Sequence, residues 1–84
     1  MVMGRPEEQS ERFRVTANRL NIRKGPGAKY DRVSTSLKKG TKVSLVEKLD
    51  RWSKVEVIDK KTGKETDVEG WVYNRYIESI PNRG

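Results

Sequence analysis

The stretch VTANRLNIRKGPGAKYDRVSTSLKK, residues 15–39, contains the clearest evidence for a fold in this sequence. Within it, apolar and polar residues alternate over LNIR at positions 20–23, the pattern of a strand with one buried and one exposed face. The turn KGPG at positions 24–27 follows, in which proline fixes its own backbone dihedral and the glycines accept positive φ. A second apolar segment ends at Leu37. The stretch therefore predicts two short β-strands joined by a rigid turn.

The rest of the chain continues this pattern of short alternating segments between turn residues. The predicted strands are residues 12–16, 20–23, 33–37 (or a strand with an irregular start at Asp31), 42–49, 52–58 and 68–73. The alternation slips at Val46, which indicates a β-bulge, and Asp50-Arg51 is predicted to join two strands as a hairpin turn. The polar run DKKTGKETD, residues 59–67, is predicted to be an exposed hairpin tip, and Asn74-Arg75 a single 3₁₀ turn.

Nowhere do apolar residues recur at helical spacing over three turns, so the sequence predicts an all-β fold. Short strands separated by frequent turn signals favour a small barrel or sandwich, and barrel closure removes the exposed strand edges. Leu, Ile, Val and Phe make up 18 of the 84 residues, enough for one small core. We expect a disordered leader at residues 1–11, one domain at 12–80 and a polar tail at 81–84.

The composition excludes most catalytic chemistry. The chain has no cysteine and no histidine, which excludes disulfides, thiol catalysis, the usual zinc sites and a Ser-His-Asp triad. A pair of carboxylic acids of the glycosidase type is the chemistry that remains. Glu47, Asp50 and Glu56 lie on or beside a predicted hairpin with no sign of burial. We therefore expect a protein that is not an enzyme and uses no cofactor and no metal.

The positive charge is concentrated in one part of the chain. The net charge is +7, and residues 12–58 hold 13 Lys or Arg against 4 acids. Such a surface could attract an anionic polymer, or it could serve solubility alone. No apolar run is long enough to span a membrane, and no hydrophobic signal core follows Met1.

Four segments of the sequence resemble one family in order and spacing. The run LNIRKGPG at 20–27 resembles the LNVRSGPS signature of bacterial SH3-type (SH3b) domains. The other three are LKKGTKV at 37–43, WSKV at 52–55, which resembles WYKV, and GWV with YI at 70–72 and 76–77, which resemble GWV and YL. The resemblance covers most of the chain, from Phe13 to Ile80.

The resemblance implies an SH3-like barrel of five to seven short antiparallel strands. It also implies a non-catalytic binding module that recognises bacterial cell-wall peptide (peptidoglycan) and targets or supports a partner domain. Such domains occur in cell-wall hydrolases and envelope proteins, so an envelope or extracellular location is expected if the chain is part of a longer exported protein; a cytoplasmic location stays open. The tip at 59–67 is longer than the family's usual connection at this point, and a monomer is expected.

Seven residues are predicted to bind the ligand: Asn21, Arg23, Tyr30, Trp52, Trp71, Tyr73 and Tyr76. Trp52 and Trp71 lie out of phase with the core valines beside them, which predicts an outer aromatic stripe or covers over an open end of the core. Tyr30 and Tyr76 lie beside loops, where a tyrosine offers a flat apolar face and a hydroxyl group. Tyr73 has the same parity as Trp71, so the two could form one surface.

The two polar residues of the first strand have alternative roles. Arg23 could hold a carboxylate of a wall peptide through two hydrogen bonds, or it could pair with Asp31 or Asp50. Asn21 could contact the ligand or satisfy the amides of the nearby turn.

Two other functions are compatible with the same residues. The domain could be a protein–protein adaptor that binds a proline-rich segment or a neighbouring domain. It could also bind single-stranded nucleic acid by stacking and phosphate contacts. This third possibility is the least favoured, because the lysines at 38, 39, 42 and 48 form no recognisable nucleic-acid motif and the aromatic residues follow the SH3b pattern.

Overall fold

The computed structural model describes residues 11–81, in which the regular structure is almost all β-strand. The strands are β1 (Arg12–Val15), β2 (Arg19–Arg23), β3 (Arg32–Lys38), β4 (Lys42–Leu49), β5 (Trp52–Ile58), β6 (Glu65–Tyr73) and β7 (Ile77–Ile80). One 3₁₀ helix, Asn74–Tyr76, separates β6 from β7, as the sequence predicted. The predicted all-β fold is confirmed. Most of the predicted leader and tail fall at 1–10 and 82–84, outside the described residues.

The seven strands form one antiparallel sheet that curls around a single core. Their order is β3-β2-β6-β5-β4-β1-β7. The core cluster draws one or two residues from each of six strands: Val15, Leu20, Ile22, Leu37, Val43, Val55 and Val72. Strands β1 and β3, which lie near opposite ends of the order, both contribute to this cluster. The sheet must therefore fold over on itself, which gives the SH3-like barrel. Phe13 packs against this core.

The β4–β5 hairpin has the turn and the bulge that the sequence predicted. Leu49 pairs with Trp52 across the two-residue turn Asp50-Arg51. Asp50 adopts a positive φ of 42°, which aspartate tolerates better than most residues. The register shifts between Leu45 and Glu47, so Val46 between them is the bulged residue and is 48% exposed.

Strand β6 begins earlier than the sequence predicted, at Glu65 instead of Val68. Glu65 pairs with Ile58 of β5, and the Thr66 hydroxyl donates a 2.8 Å hydrogen bond to the Val57 carbonyl. Exposure alternates along the segment although it contains no apolar residue before Val68. The polar tip is consequently shorter, because the strand continues by backbone pairing where hydrophobic alternation gives no signal.

Gly70 lets β2 and β6 approach closely at the centre of the sheet. A Cβ atom at this position would overlap Cγ2 of the buried Ile22 and lie 2.9 Å from the Arg23 carbonyl oxygen. No side chain larger than hydrogen fits there without displacement of the neighbouring strand. The glycine of the GWV segment is therefore needed for strand packing.

Candidate functional site

Three aromatic side chains meet where β5 begins and β6 ends. Trp52, the first residue of β5, pairs with Tyr73, the last residue of β6, and their ring centroids lie 5.4 Å apart. Tyr76, at the end of the 3₁₀ helix, lies next to Tyr73 with a centroid distance of 5.7 Å. Both pairs are tilted, a favourable arrangement for aromatic rings. Trp52, Tyr73 and Tyr76 are called the aromatic triad below.

The aromatic triad forms one wall of a groove of about 710 Å³, called the aromatic groove below. The groove is lined by Ala17, Arg19, Leu20, Asn21, Arg23, Ala28, Arg51, Trp52, Tyr73 and Tyr76. Three of these residues are arginines, and no carboxylate is found among the described residues that line it. The groove therefore combines flat apolar faces with a positive charge, which suits an anionic ligand that has apolar parts.

Asn74 connects the β4–β5 turn to the 3₁₀ helix that carries Tyr76. Its Oδ1 accepts a 2.5 Å hydrogen bond from the hydroxyl of Ser53, its Nδ2 donates to the Asp50 carbonyl at 3.1 Å, and its backbone amide donates to the Arg51 carbonyl at 2.8 Å. Ser53 is only 2% exposed, so this acceptor satisfies a buried donor. These bonds fix the turn beside Trp52 relative to the segment that carries Tyr73 and Tyr76.

The aromatic groove brings together five of the seven residues predicted to bind the ligand: Asn21, Arg23, Trp52, Tyr73 and Tyr76. Asn21 is half-buried within it. Arg23 makes a different contact from the ion pairs considered for it: its Nη1 donates a 2.9 Å hydrogen bond to the Tyr30 carbonyl. This bond ties β2 to the loop that follows it.

Tyr30 lies outside the set of residues that line the groove. Its ring packs directly over Gly25, where an added Cβ atom would lie 2.5 Å from the ring, and the side chain is 41% exposed. The Nζ of Lys29 lies 5.8 Å from the ring centroid. Tyr30 thus covers the glycine turn, and it reaches the groove through the contact of its carbonyl with Arg23.

Trp71 does not form part of an exposed aromatic stripe, the first of the two positions predicted for it, since it is only 8% exposed. It lies within β6, directly paired with Arg23 of β2 on one side and Lys54 of β5 on the other. Directly paired residues project to the same face, so these two long side chains flank the tryptophan. The alternation of residues along β6 correctly placed the Trp71 side chain on the outer face of the sheet, but side chains of the strands on both sides cover it. Trp52 is not covered in this way, because it lies at the end of β5.

Arg19, Arg51 and Asn74 were not predicted from the sequence to belong to the site. Arg19 opens β2, and its Nε donates a 3.3 Å hydrogen bond to the Ser36 hydroxyl of β3. Arg51 lies in the hairpin turn directly before Trp52. The two arginines could have been predicted, because each lies within two positions of a predicted ligand residue in the sequence. The role of Asn74 depends on contacts with residues more than 20 positions away, for which the sequence has no signal.

A family model described as bacterial SH3 domain matches residues 18–78. The match spans β2 to β6 and part of β7, and it includes every groove-lining residue except Ala17. The chain belongs to the bacterial SH3 domain family. No curated protein and no solved structure matched the chain.

Bacterial SH3 domains are generally non-catalytic binding modules, and they often occur in envelope or extracellular proteins. Membership therefore assigns this SH3 domain to a class of modules that bind peptides or proteins. Within residues 11–81, no helix is long and apolar enough to cross a membrane. The same part of the chain contains no cluster of three acidic side chains placed to hold a metal ion.

Proposed function

We propose that this SH3 domain binds a peptide of the bacterial cell wall in its aromatic groove and performs no chemistry on it. The observation that carries the proposal is the composition of that groove, with the aromatic triad on one wall and Arg19, Arg23 and Arg51 among its other lining residues. Wall peptides carry free carboxylates and short apolar side chains. Arginine binds carboxylates through paired hydrogen bonds, and aromatic rings pack on alanine-like groups and peptide backbone.

The three arginines differ in how much of their donor capacity is already used. Arg23 commits Nη1 to the Tyr30 carbonyl, and Arg19 directs Nε to Ser36. A guanidinium group has five N–H donors, so both retain donors for a ligand. Arg51 is exposed in the hairpin turn, beside Trp52. We assign the carboxylate contact mainly to Arg51 and Arg19, with Arg23 holding the loop and the edge of the groove.

The aromatic triad gives the apolar part of the recognition. Tyrosine and tryptophan bury a large rigid area with few rotatable bonds, so little side-chain entropy is lost on binding. Asn74 supports the triad from behind, through its hydrogen bonds to Ser53 and to the Asp50-Arg51 turn. The aromatic triad is thus ordered before a ligand binds, which lowers the entropic penalty of binding.

Titration of purified muropeptides into ¹⁵N-labelled protein, followed by amide chemical shifts, tests this proposal. We expect shifts at the amides of Trp52, Tyr73 and Tyr76 and at the arginine side chains of the groove. The amides of Val46 and Lys48, on the bulged part of β4, are internal references that should not move. Absence of shifts at millimolar muropeptide, together with recovery of a specific protein partner and no binding to purified sacculi, would favour the adaptor function instead.

A further inference from the structure

A second groove, of about 510 Å³, lies at the opposite end of the β4–β5 hairpin. It is lined by Arg12, Lys38, Lys39, Gly40, Thr41, Lys42, Ile58, Asp59, Lys60 and Gly63, none of which lines the aromatic groove. We call it the basic groove. Trp52 begins β5 in the aromatic groove and Ile58 ends β5 in the basic groove. Six residue steps along a strand separate the two sites by about 20 Å.

Five cationic side chains from three parts of the chain surround the basic groove. Arg12 comes from β1, Lys38, Lys39 and Lys42 from the segment in which β3 ends and β4 begins, and Lys60 from the β5–β6 turn. All five are exposed. Within residues 11–81, the two ion pairs join Arg14 to Glu78 and Lys54 to Glu69, so neither involves these cations.

Asp59, the one carboxylate among the described residues that line the basic groove, has a structural role. Oδ1 of Asp59 accepts a 2.7 Å hydrogen bond from the backbone amide of Lys61, and the Asp59 carbonyl accepts one from Gly63 at 2.8 Å. These bonds close the β5–β6 turn, in which Gly63 has a φ of 74°. The β3–β4 turn is fixed in a similar way, since Gly40 (φ 91°) donates to the Val15 carbonyl at 2.8 Å. Two ordered turns therefore present the lysines.

We propose that the basic groove binds a flexible phosphodiester polymer that lacks aromatic bases, a polyol phosphate chain of the kind carried by bacterial cell walls. Charge complementarity carries the inference, because several cations along one groove match the regularly repeated charges of such a chain. None of the described residues that line the groove is aromatic, whereas proteins that bind single-stranded nucleic acid stack bases on aromatic rings. The choice of a wall polymer rests on the proposed function.

The test uses a charge-reversal variant of the full chain and a matched control. The double variant Lys39→Glu with Lys60→Glu changes two exposed lysines of the basic groove, both in turns. The control, Lys24→Glu with Lys48→Glu, makes the same change in net charge at two exposed lysines that line neither groove. Binding of synthetic poly(glycerol phosphate) is measured by calorimetry over a series of salt concentrations. An equally charged single-stranded DNA is titrated in parallel.

We expect polymer binding by the wild-type protein to weaken as the salt concentration rises. The groove variant should have a Kd about tenfold higher. Its plot of log K against log salt concentration should have a slope shallower by about 1.4, as for two lost phosphate contacts. The control should stay within about threefold of wild type, because charges outside the groove act only through the screened long-range field. Equal losses in both double variants, no polymer binding even at low salt, or tighter binding of the DNA would each overturn the proposal.

Muropeptide titration of the same groove variant separates this proposal from the proposed function. Since no residue within 11–81 lines both grooves, Lys39→Glu with Lys60→Glu should leave muropeptide shifts at wild-type values. Conversely, Tyr76→Ala should weaken muropeptide binding and leave polymer affinity unchanged. If a variant loses polymer binding and keeps muropeptide binding, only the basic groove is affected. If it loses muropeptide binding and keeps polymer binding, only the aromatic groove is affected.

Discussion

The buried hydroxyl of Ser53 donates a 2.5 Å hydrogen bond to Oδ1 of Asn74, 21 residues further along the chain. Asn74 has no direct place among the groove-lining residues, but it holds the β4–β5 turn against the 3₁₀ helix. The members of the aromatic triad lie in or beside these two segments: Trp52 directly follows the turn, Tyr73 directly precedes the helix and Tyr76 ends it. The geometry of the aromatic groove therefore depends on an amide side chain behind it as well as on the rings themselves.

Replacement of Asn74 by alanine should destabilise the domain by about 1–3 kcal/mol, because the Ser53 hydroxyl is then buried without an acceptor. Ser53→Ala removes the donor as well, so the double variant should be no less stable than Asn74→Ala alone. Urea unfolding of the two single variants and the double variant gives the coupling energy. Strictly additive effects in this cycle would show that the two side chains act independently.

Gly70→Ala should reduce the free energy of unfolding by about 1–3 kcal/mol, since the added methyl group overlaps Ile22 and the backbone of β2. Gly27→Ala is the matched control, because a Cβ there lies 3.4 Å from the Tyr30 ring and has room. We expect the control to change stability by less than about 1 kcal/mol. Thermal unfolding followed by circular dichroism compares them. A Gly70→Ala variant as stable as Gly27→Ala would contradict the close approach of β2 and β6.

Tyr76 and Tyr30 form a matched pair for the test of the aromatic groove, with exposures of 43% and 41%. Tyr76 lines the groove and Tyr30 does not. Tyr76→Ala should raise the Kd for a muropeptide by about tenfold, the loss typical of an aromatic contact residue. Tyr30→Ala should change it by less than about threefold, because only its backbone carbonyl contacts Arg23. Equal losses would place the ligand over both tyrosines.

Arg51 and Lys48 allow a comparison of charge inside and outside the aromatic groove. Arg51→Ala should raise the muropeptide Kd by about tenfold, because a charge-assisted contact to a carboxylate is lost. Arg51→Lys should recover only part of this affinity, since lysine lacks the planar pair of donors. Lys48→Ala removes the same charge from β4 and should have little effect. Titration followed by tryptophan fluorescence, to which both Trp52 and Trp71 contribute, is a suitable measurement, and a loss as large for Lys48→Ala would indicate a purely long-range effect.

The conformation of Asp50 gives a prediction about stability alone. Its φ of 42° is readily adopted by glycine and disfavoured for β-branched residues. Asp50→Gly should leave stability unchanged or raise it by up to about 1 kcal/mol, while Asp50→Val should lower it by about 1–2 kcal/mol. The Asn74 contact involves the Asp50 carbonyl, so both variants retain it. Chemical denaturation checks the order, and a Val variant as stable as the Gly variant would contradict it.

Alternating hydrophobicity was sufficient to predict the all-β fold, the bulge at Val46 and the hairpin turn at Asp50-Arg51. It failed at the start of β6, where Glu65, Thr66 and Asp67 continue the strand without apolar side chains. Hydrophobic periodicity reports burial of side chains. A strand extension held by backbone pairing and by the Thr66 hydroxyl leaves no such trace.

The candidate site was predicted only in part, because local sequence patterns do not report which strands lie next to each other. Strand parity indicated the outer face for Trp52 and Trp71, in agreement with the core positions of Val55 and Val72, but exposure also depends on the side chains that neighbouring strands place beside each ring. Trp52 lies at the end of β5 and borders the groove, while Arg23 and Lys54 flank Trp71. Parity along one strand contains no information about which residues pair with it.

The sequence alone was enough to predict six of the seven strands, the small apolar core, the lack of histidine and cysteine chemistry, and the family, whereas β7 was not predicted as a strand. These follow from residue types and their local spacing. The tertiary structure alone decided that Arg19, Arg51 and the aromatic triad line one groove, that Tyr30 covers Gly25 instead, and that a separate basic groove lies about 20 Å away. The physical reason is that strand order and the curl of the sheet bring distant segments together, and no local pattern specifies those neighbours.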